Sequence, residues 1–163
     1  MIFVSLGTQK FQLNRLLSEI DELIEDGVIN EPVFAQIGNS TYLPRNFEYK
    51  NFLSQHDFHI KINECDVLIT HGGVGSIQNG LKLNKKVIVY PRLSKYGEHV
   101  DDHQTEIAEK YDQYGYCLSV SETKSLRDCL RLIPTFESAY TGYDTFAQML
   151  DCIRSYIADV SKK

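Results

Sequence analysis

The stretch that decides the fold is residues 66–91, which read DVLITHGGVGSIQNGLKLNKKVIVYP. It opens with an apolar run typical of a buried strand, and a glycine-rich loop follows at residues 71–75. The spacing then predicts a helix over residues 76–83 and a second apolar strand over residues 87–90. Pro91 ends that strand because proline has no backbone N–H to donate. Strand, helix and strand in this order indicate a parallel sheet.

The chain before this stretch shows the same alternation. Residues 2–6 are an apolar run, and apolar residues at helical spacing follow over residues 11–24. A second run covers residues 32–37, and a weaker strand is predicted over residues 46–52. Ser54 is a suitable N-cap for a short helix after it.

The chain after Pro91 continues the pattern. A polar connection leads to a helix predicted over residues 102–111, a short strand over residues 116–120 and a helix over residues 122–132. A last helical stripe of apolar residues comprises Phe146, Leu150, Ile153, Ile157 and Val160. Because the strands are apolar throughout, the sequence predicts an α/β fold with a single Rossmann-like, doubly wound parallel sheet.

The composition fits one globular domain, which we predict to cover residues 1–163. Hydrophobic residues make up 42% and charged residues 24%, which excludes collagen-like, disordered and low-complexity chains. A formal net charge of -5 disfavours a protein that binds nucleic acid. No CxxC pair is present, so we expect reduced cysteines and neither a zinc knuckle nor a redox motif: Cys65, Cys117, Cys129 and Cys152.

The amino terminus lacks the features of a signal peptide. No stretch approaches the roughly 20 apolar residues that span a bilayer. We therefore expect a cytoplasmic protein, which a partner must hold if it works at a membrane.

The glycine-rich loop is the strongest candidate site. In such a fold, ligands bind at the carboxyl ends of the strands, where the strand order reverses. Backbone N–H groups and the positive end of a helix dipole suit a phosphate or diphosphate there, although a tight turn without a ligand is the alternative. Ser76 either caps the helix or donates to a phosphate oxygen. The residues of the loop itself are His71, Gly72, Gly73, Val74 and Gly75.

Two common nucleotide motifs are absent. Gln78 stands where GxGxxG requires its third glycine, and the next strand ends in Tyr90-Pro91 without a ribose-binding carboxylate. A nicotinamide or flavin site is therefore disfavoured. A P-loop is excluded because the chain has no Gly-Lys-Ser or Gly-Lys-Thr.

Polar residues near the loop are further candidates, each with a structural alternative. His71 either donates to a diphosphate or sugar hydroxyl or fixes the loop. Asn79 either bonds a ribose diol or is solvated. Gly7 and Thr8 follow the first strand, and they either offer N–H groups and a hydroxyl to the same ligand or form an ordinary turn.

The connection after the next strand concentrates polar groups. Arg92 faces a phosphate or an anionic surface, or it is merely solvated. Glu98 and His99 are an adjacent acid and imidazole, which makes them weak acid/base candidates. Groups that suit sugar hydroxyls, one of them also a possible N-cap, are Asp102, His103 and Gln104.

Four segments together resemble the donor-binding, carboxy-terminal half of family 28 glycosyltransferases: residues 3–8 (FVSLGT), 70–77 (THGGVGSI), 85–91 (KKVIVYP) and 96–104 (YGEHVDDHQ). They are similar to PssE-like and EpsF-like capsular or exopolysaccharide subunits and to the catalytic subunit of eukaryotic N-acetylglucosaminyl-diphosphodolichol synthase. The resemblance implies half of a GT-B fold. It also implies that a separate, membrane-associated subunit of the PssD/EpsE type binds the acceptor.

The resemblance further implies transfer, with inversion, from a UDP-sugar to a polyprenyl-diphosphate-linked saccharide at the inner face of the plasma membrane. It places the diphosphate at residues 72–76 and at Gly7 and Thr8, and the ribose at Asn79, where many relatives carry an acidic residue. It places the donor sugar at His103 and Gln104. No cofactor or obligatory metal is implied, and the general base belongs to the partner. A nucleotide-binding regulatory subunit without activity is the alternative, and an oxidoreductase is a remote third.

Overall fold

A computed structural model describes residues 1–142, which form one sheet of six parallel strands. The strands are β1 (Ile2–Ser5), β2 (Val33–Gln36), β3 (Glu48–Lys50), β4 (Val67–Thr70), β5 (Lys86–Val89) and β6 (Leu118–Ser119). Their order in the sheet is β3-β2-β1-β4-β5-β6, and every neighbouring pair is parallel. The apolar stripe predicted over residues 146–160 and Cys152 lie outside the described residues.

Helices cover both faces of this sheet. They are α1 (Asn14–Glu25), α2 (Gln55–Glu64), α3 (Val74–Lys82), α4 (His103–Gln113) and α5 (Leu126–Leu132), with 3-10 turns at Ser94–Tyr96 and Ile133–Thr135. Val4 of β1 belongs to one buried cluster with Leu16 and Ile20 of α1. Phe3, its neighbour, belongs to a second cluster with Ile77 of α3. Adjacent strand residues thus face opposite helical layers, which confirms the predicted doubly wound α/β fold and explains the uninterrupted apolar runs.

Three helices begin at other residues than the sequence predicts: α3, α4 and α5. Helix α3 begins at Val74 with Gly73 at its N-cap and no side-chain cap, so of the two alternatives for Ser76 the one in which it caps the helix is wrong. Asp102 does stand at the N-cap position of α4, but its side chain makes no capping hydrogen bond. Helix α5 begins at Leu126, because Ser125 at its N-cap forms a capping box with Asp128.

A buried carboxylate ties α1 to the segment that follows β2. Asp21 is fully buried, and its oxygens accept hydrogen bonds from the Tyr42 hydroxyl (2.8 Å) and from the backbone N–H groups of Arg45 and Asn46 (2.9 Å each). Because Asp21→Ala leaves these donors without their acceptor, we expect it to lower the free energy of unfolding by about 2–4 kcal/mol in urea denaturation. The exposed neighbour variant Glu22→Ala is the control, and an equal loss in both variants would contradict this account.

Candidate functional site

The strand order reverses between β1 and β4. The chain runs from β1 to β2 on one side and later returns to β4 on the other side of β1. The last residues of the two strands, Ser5 and Thr70, are paired in register. The loops that follow them, from Gly7 and from His71, therefore start side by side at the position where doubly wound sheets bind their ligands.

The His71 ring lies between two glycines. A Cβ added at Gly7 would lie 2.6 Å from Cε1 of His71, and one added at Gly73 would lie 2.5 Å from Nε2. Gly7 also has a φ of +70°, a conformation that L side chains rarely adopt. Both glycines are thus required by the buried imidazole, so the tight-turn alternative accounts for part of this cluster.

The imidazole of His71 is neutral at pH 7. Burial lowers its pKa from 6.5 to about 4, and the positive charge of Arg92 contributes further to this lowering. Nδ1 lies 3.4 Å from the carbonyl oxygen of Ser5 and 3.5 Å from Oγ1 of Thr70, which itself donates to Ser5. The ring is thereby fixed at the loop as a neutral group rather than as an imidazolium.

This depressed pKa makes folding stability depend on pH. The unfolded chain binds a proton on His71 below pH 6.5, whereas the folded chain does so only near pH 4, so stability falls as the pH drops through this range. We expect His71 to contribute a loss of about 2 kcal/mol between pH 7 and pH 5. Urea denaturation at both values measures the loss, with the exposed His59→Asn variant as control. An NMR titration of His71 with a midpoint near 6.5 would contradict the prediction.

The amino terminus of α3 opens toward solvent at this point. The N–H of Ser76 donates to the carbonyl oxygen of Gly73 (3.1 Å), which leaves the N–H groups of Val74 and Gly75 without a partner in residues 1–142, and α3 has no side-chain cap. Gly75 is exposed, and a Cβ added there meets no atom within 4 Å. Ser76 lies in the first turn of α3. The end of α3 therefore combines free donors, a positive dipole end and open space, as an anion requires.

Gln104 joins three elements beneath the loop. Its Oε1 accepts from the backbone N–H of Gly72 (3.1 Å) and from that of Arg92 (3.2 Å). A Cβ added at Gly72 would lie 2.6 Å from Cβ of Gln104, so the loop is packed directly against α4. The resemblance implied that Gln104 contacts the donor sugar, but its oxygen is occupied by the backbone, and Nε2 is the group left for such a contact.

Arg92 is buried rather than solvated. It is 1% exposed, and Nη2 donates to the carbonyl oxygens of Leu6 (2.8 Å) and Phe11 (3.2 Å). The guanidinium thus binds the backbone on both sides of the turn that follows β1. The alternative of a solvated surface arginine is therefore wrong.

Glu98 and His99 do not form an acid/base pair. Glu98 is 1% exposed; its carboxylate pairs with Arg15 at 2.8 Å and accepts from the N–H of Leu93 at 2.9 Å. His99 turns instead to Asp101, with Nδ1 3.0 Å from Oδ1. Arg15 holds the buried Glu98 in an ion pair, so the structure does not bring the two predicted side chains together as a pair. Sequence reasoning missed Arg15, which has no local motif to mark it.

The remaining candidates are Thr8, Asn79, Asp102 and His103. Thr8 and Asn79 are exposed, and Asn79 lies one helical turn beyond Gly75 on the same face of α3. Asp102 accepts from the N–H and hydroxyl of Ser94, which lower the pKa of its carboxyl group. The side chain of His103 is 41% exposed, so it is accessible from solvent.

Metal ligands are not clustered in the part of the chain that the structure describes: residues 1–142 contain no group of three or more His, Cys, Asp or Glu side chains that could hold a metal ion. Within the same residues, no helix is long and apolar enough to cross a membrane.

Comparison with known proteins finds a matching family and named relatives. The family model described as glycosyltransferase family 28 C-terminal domain matches residues 1–141. The UDP-N-acetylglucosamine transferase subunit ALG13 of Debaryomyces hansenii is 32% identical over 112 residues, which are 66% of this chain and 48% of that protein. The chain thus spans about half the length of this curated relative.

Solved structures show the same fold. The glycosyltransferase of kitacinnamycin superimposes with a TM-score of 0.58 at 25% identity, over 82% of this chain and 33% of that chain. An NMR structure of ALG13 has a TM-score of 0.54 at 23% identity and covers 86% of this chain and 88% of that chain. The described fold therefore corresponds to one part of the kitacinnamycin glycosyltransferase chain and to most of the ALG13 chain in the NMR structure.

Proposed function

Because the chain belongs to the family of glycosyltransferase family 28 C-terminal domains, we propose that it is the donor-binding and catalytic subunit of a two-component, inverting hexosyltransferase that uses a UDP-sugar. The observation that carries the proposal is the uncapped, open amino terminus of α3 beside the neutral His71, at the point where the strand order reverses. A diphosphate fits there because backbone N–H groups and the helix dipole supply its positive counterpart. The name of the Debaryomyces relative makes UDP-N-acetylglucosamine the first donor to test.

The proposal assigns one part of the donor to each group of candidate residues. In this proposal, residues 72–76 and the turn at Gly7 and Thr8 bind the diphosphate, and the exposed Asn79, one helical turn beyond Gly75, bonds the ribose. His103 is exposed at the start of α4 and contacts the donor sugar. In the reaction, the acceptor oxygen forms a bond to the anomeric carbon as the bond to the diphosphate oxygen breaks. The end of α3 stabilises the charge of the departing UDP.

The acceptor site is proposed to belong to a second chain. This protein matches 33% of the kitacinnamycin glycosyltransferase, and the relatives in yeast are named as subunits. We propose that a membrane-associated partner of the PssD/EpsE type binds a polyprenyl-diphosphate-linked saccharide and supplies the base that removes the proton of its hydroxyl. The pair would then work at the inner face of the plasma membrane in capsular or exopolysaccharide assembly, without an obligatory metal.

Two experiments test the proposal in sequence. The first is calorimetric titration of the purified chain with UDP, UDP-N-acetylglucosamine, UDP-glucose, UDP-galactose, UDP-glucuronate and NAD. Binding of uridine nucleotides and not of NAD is the expected result, and the reverse would contradict it. The second measures sugar transfer to a polyprenyl-diphosphate saccharide with and without the partner. Transfer that requires both chains is expected, whereas UDP binding without any transfer would indicate the regulatory alternative.

A further inference from the structure

Arg92 is a buried cation without an ion-pair partner. Its Nη2 donates to two backbone carbonyl groups, whereas Nε and Nη1 have no hydrogen-bond partner within residues 1–142. No carboxylate of these residues lies within ion-pair distance of its guanidinium. A buried charge of this kind is costly to a folded protein unless something compensates it.

The nearest acidic group is already used. Glu98 acts on Arg92 only at a distance, since its two oxygens accept from Nε and Nη2 of Arg15 at 3.1 and 2.8 Å. One carboxylate therefore faces two guanidinium groups. The group of three keeps a net charge of about +1, and within it Arg92 and Glu98 are buried whereas the Arg15 side chain is 30% exposed.

This charge lies behind both loops of the donor site. The guanidinium holds the carbonyl oxygen of Leu6, directly before Gly7, and the backbone N–H of Arg92 shares the Gln104 oxygen with Gly72. The charge of Arg92 also lowers the pKa of His71, which is a second sign that it reaches the centre of the site. No local motif in the sequence requires a cation at this position.

We propose that Arg92 supplies the fixed positive charge that attracts the nucleotide diphosphate, acting from behind the loops at Gly7 and Gly72 as a positioning residue. This inference rests on the proposed function, because it takes the diphosphate of the donor to be the missing counter-charge. It predicts that Arg92 matters for ligands with a diphosphate and not for the nucleoside alone.

The test compares UDP with uridine by NMR titration in the wild-type chain, Arg92→Met and Arg92→Lys. Arg92→Met is expected to lower the affinity for UDP about 10- to 100-fold and to leave the affinity for uridine nearly unchanged. Arg92→Lys keeps the charge and is expected to retain most of the preference for UDP. Lys95→Met removes an exposed charge from the same connection and is expected to change neither affinity.

Each outcome decides between defined explanations. An equal loss of UDP and uridine affinity in Arg92→Met, or no loss of either, would overturn the inference while leaving the proposed function intact. No binding of UDP by the wild-type chain would overturn both. If Arg92→Met does not give a native spectrum, Arg92→Gln is the second uncharged variant. Failure of both to fold, with a folded Arg92→Lys, would assign Arg92 a structural role and overturn the inference.

Discussion

Gly75→Trp is expected to abolish UDP binding while the chain stays folded. Gly75 is exposed in the first turn of α3, and a Cβ added there meets no atom within 4 Å, so a side chain at this position starts in open space. The indole would fill the space in front of the helix amino terminus, where the diphosphate is proposed to lie. Since that ligand would lose the helix N–H groups and the dipole together, we expect calorimetry to show a loss of about 100-fold or more in affinity.

The control for this substitution is Lys82→Trp. Lys82 is exposed two turns further along the same face of α3, so it tests the effect of an indole on this helix away from the opening. Unchanged UDP affinity in this variant and lost affinity in Gly75→Trp would locate the diphosphate at the end of α3. Full UDP affinity in Gly75→Trp would exclude that location. The other loop glycines do not serve here, because a Cβ at Gly72 or Gly73 would collide with Gln104 or His71.

The fold and the place of the opening are predictable because local patterns determine them. The uninterrupted apolar runs at β1, β4 and β5 reflect burial on both faces of the sheet. The dense glycines after β4 reflect a close approach of backbone and side chain, which the structure shows around His71. Parallel strands then bring the loops after β1 and β4 to one edge, so the site follows from the fold.

The roles of the buried polar side chains were not predictable, because their partners are distant in sequence. Arg15 and Glu98 are 83 positions apart, and Arg92 reaches back 86 positions to Leu6. A charged residue in a polar connection is predicted to be solvated unless its partner is known. Only the fold shows that Arg15 forms an ion pair with Glu98, whereas Arg92 has no ion-pair partner in residues 1–142.

Gln104→Leu is expected to weaken UDP and UDP-sugar binding together. Leucine has no oxygen to accept from the N–H groups of Gly72 and Arg92, which share the Gln104 oxygen. We expect the free energy of unfolding to fall by about 2–4 kcal/mol. Because Gly72 starts the loop that ends at the helix amino terminus, the donors for the diphosphate lose their fixed positions. We expect calorimetry to show about tenfold or greater loss of affinity for both ligands. Both contain the diphosphate, which the misplaced N–H groups would bind less well.

The comparison of the two ligands decides what Gln104 does. If Gln104 contacts the donor sugar directly, Gln104→Leu removes that contact. It would then weaken UDP-sugar binding and leave UDP binding unchanged, because UDP carries no donor sugar. Gln113→Leu, an exposed change at the other end of α4, controls for the loss of an amide from this helix and is expected to alter neither affinity. A loss of affinity confined to UDP-sugars in Gln104→Leu would therefore indicate that Gln104 contacts the donor sugar. Equal losses for both ligands would indicate that Gln104 positions the loop at Gly72.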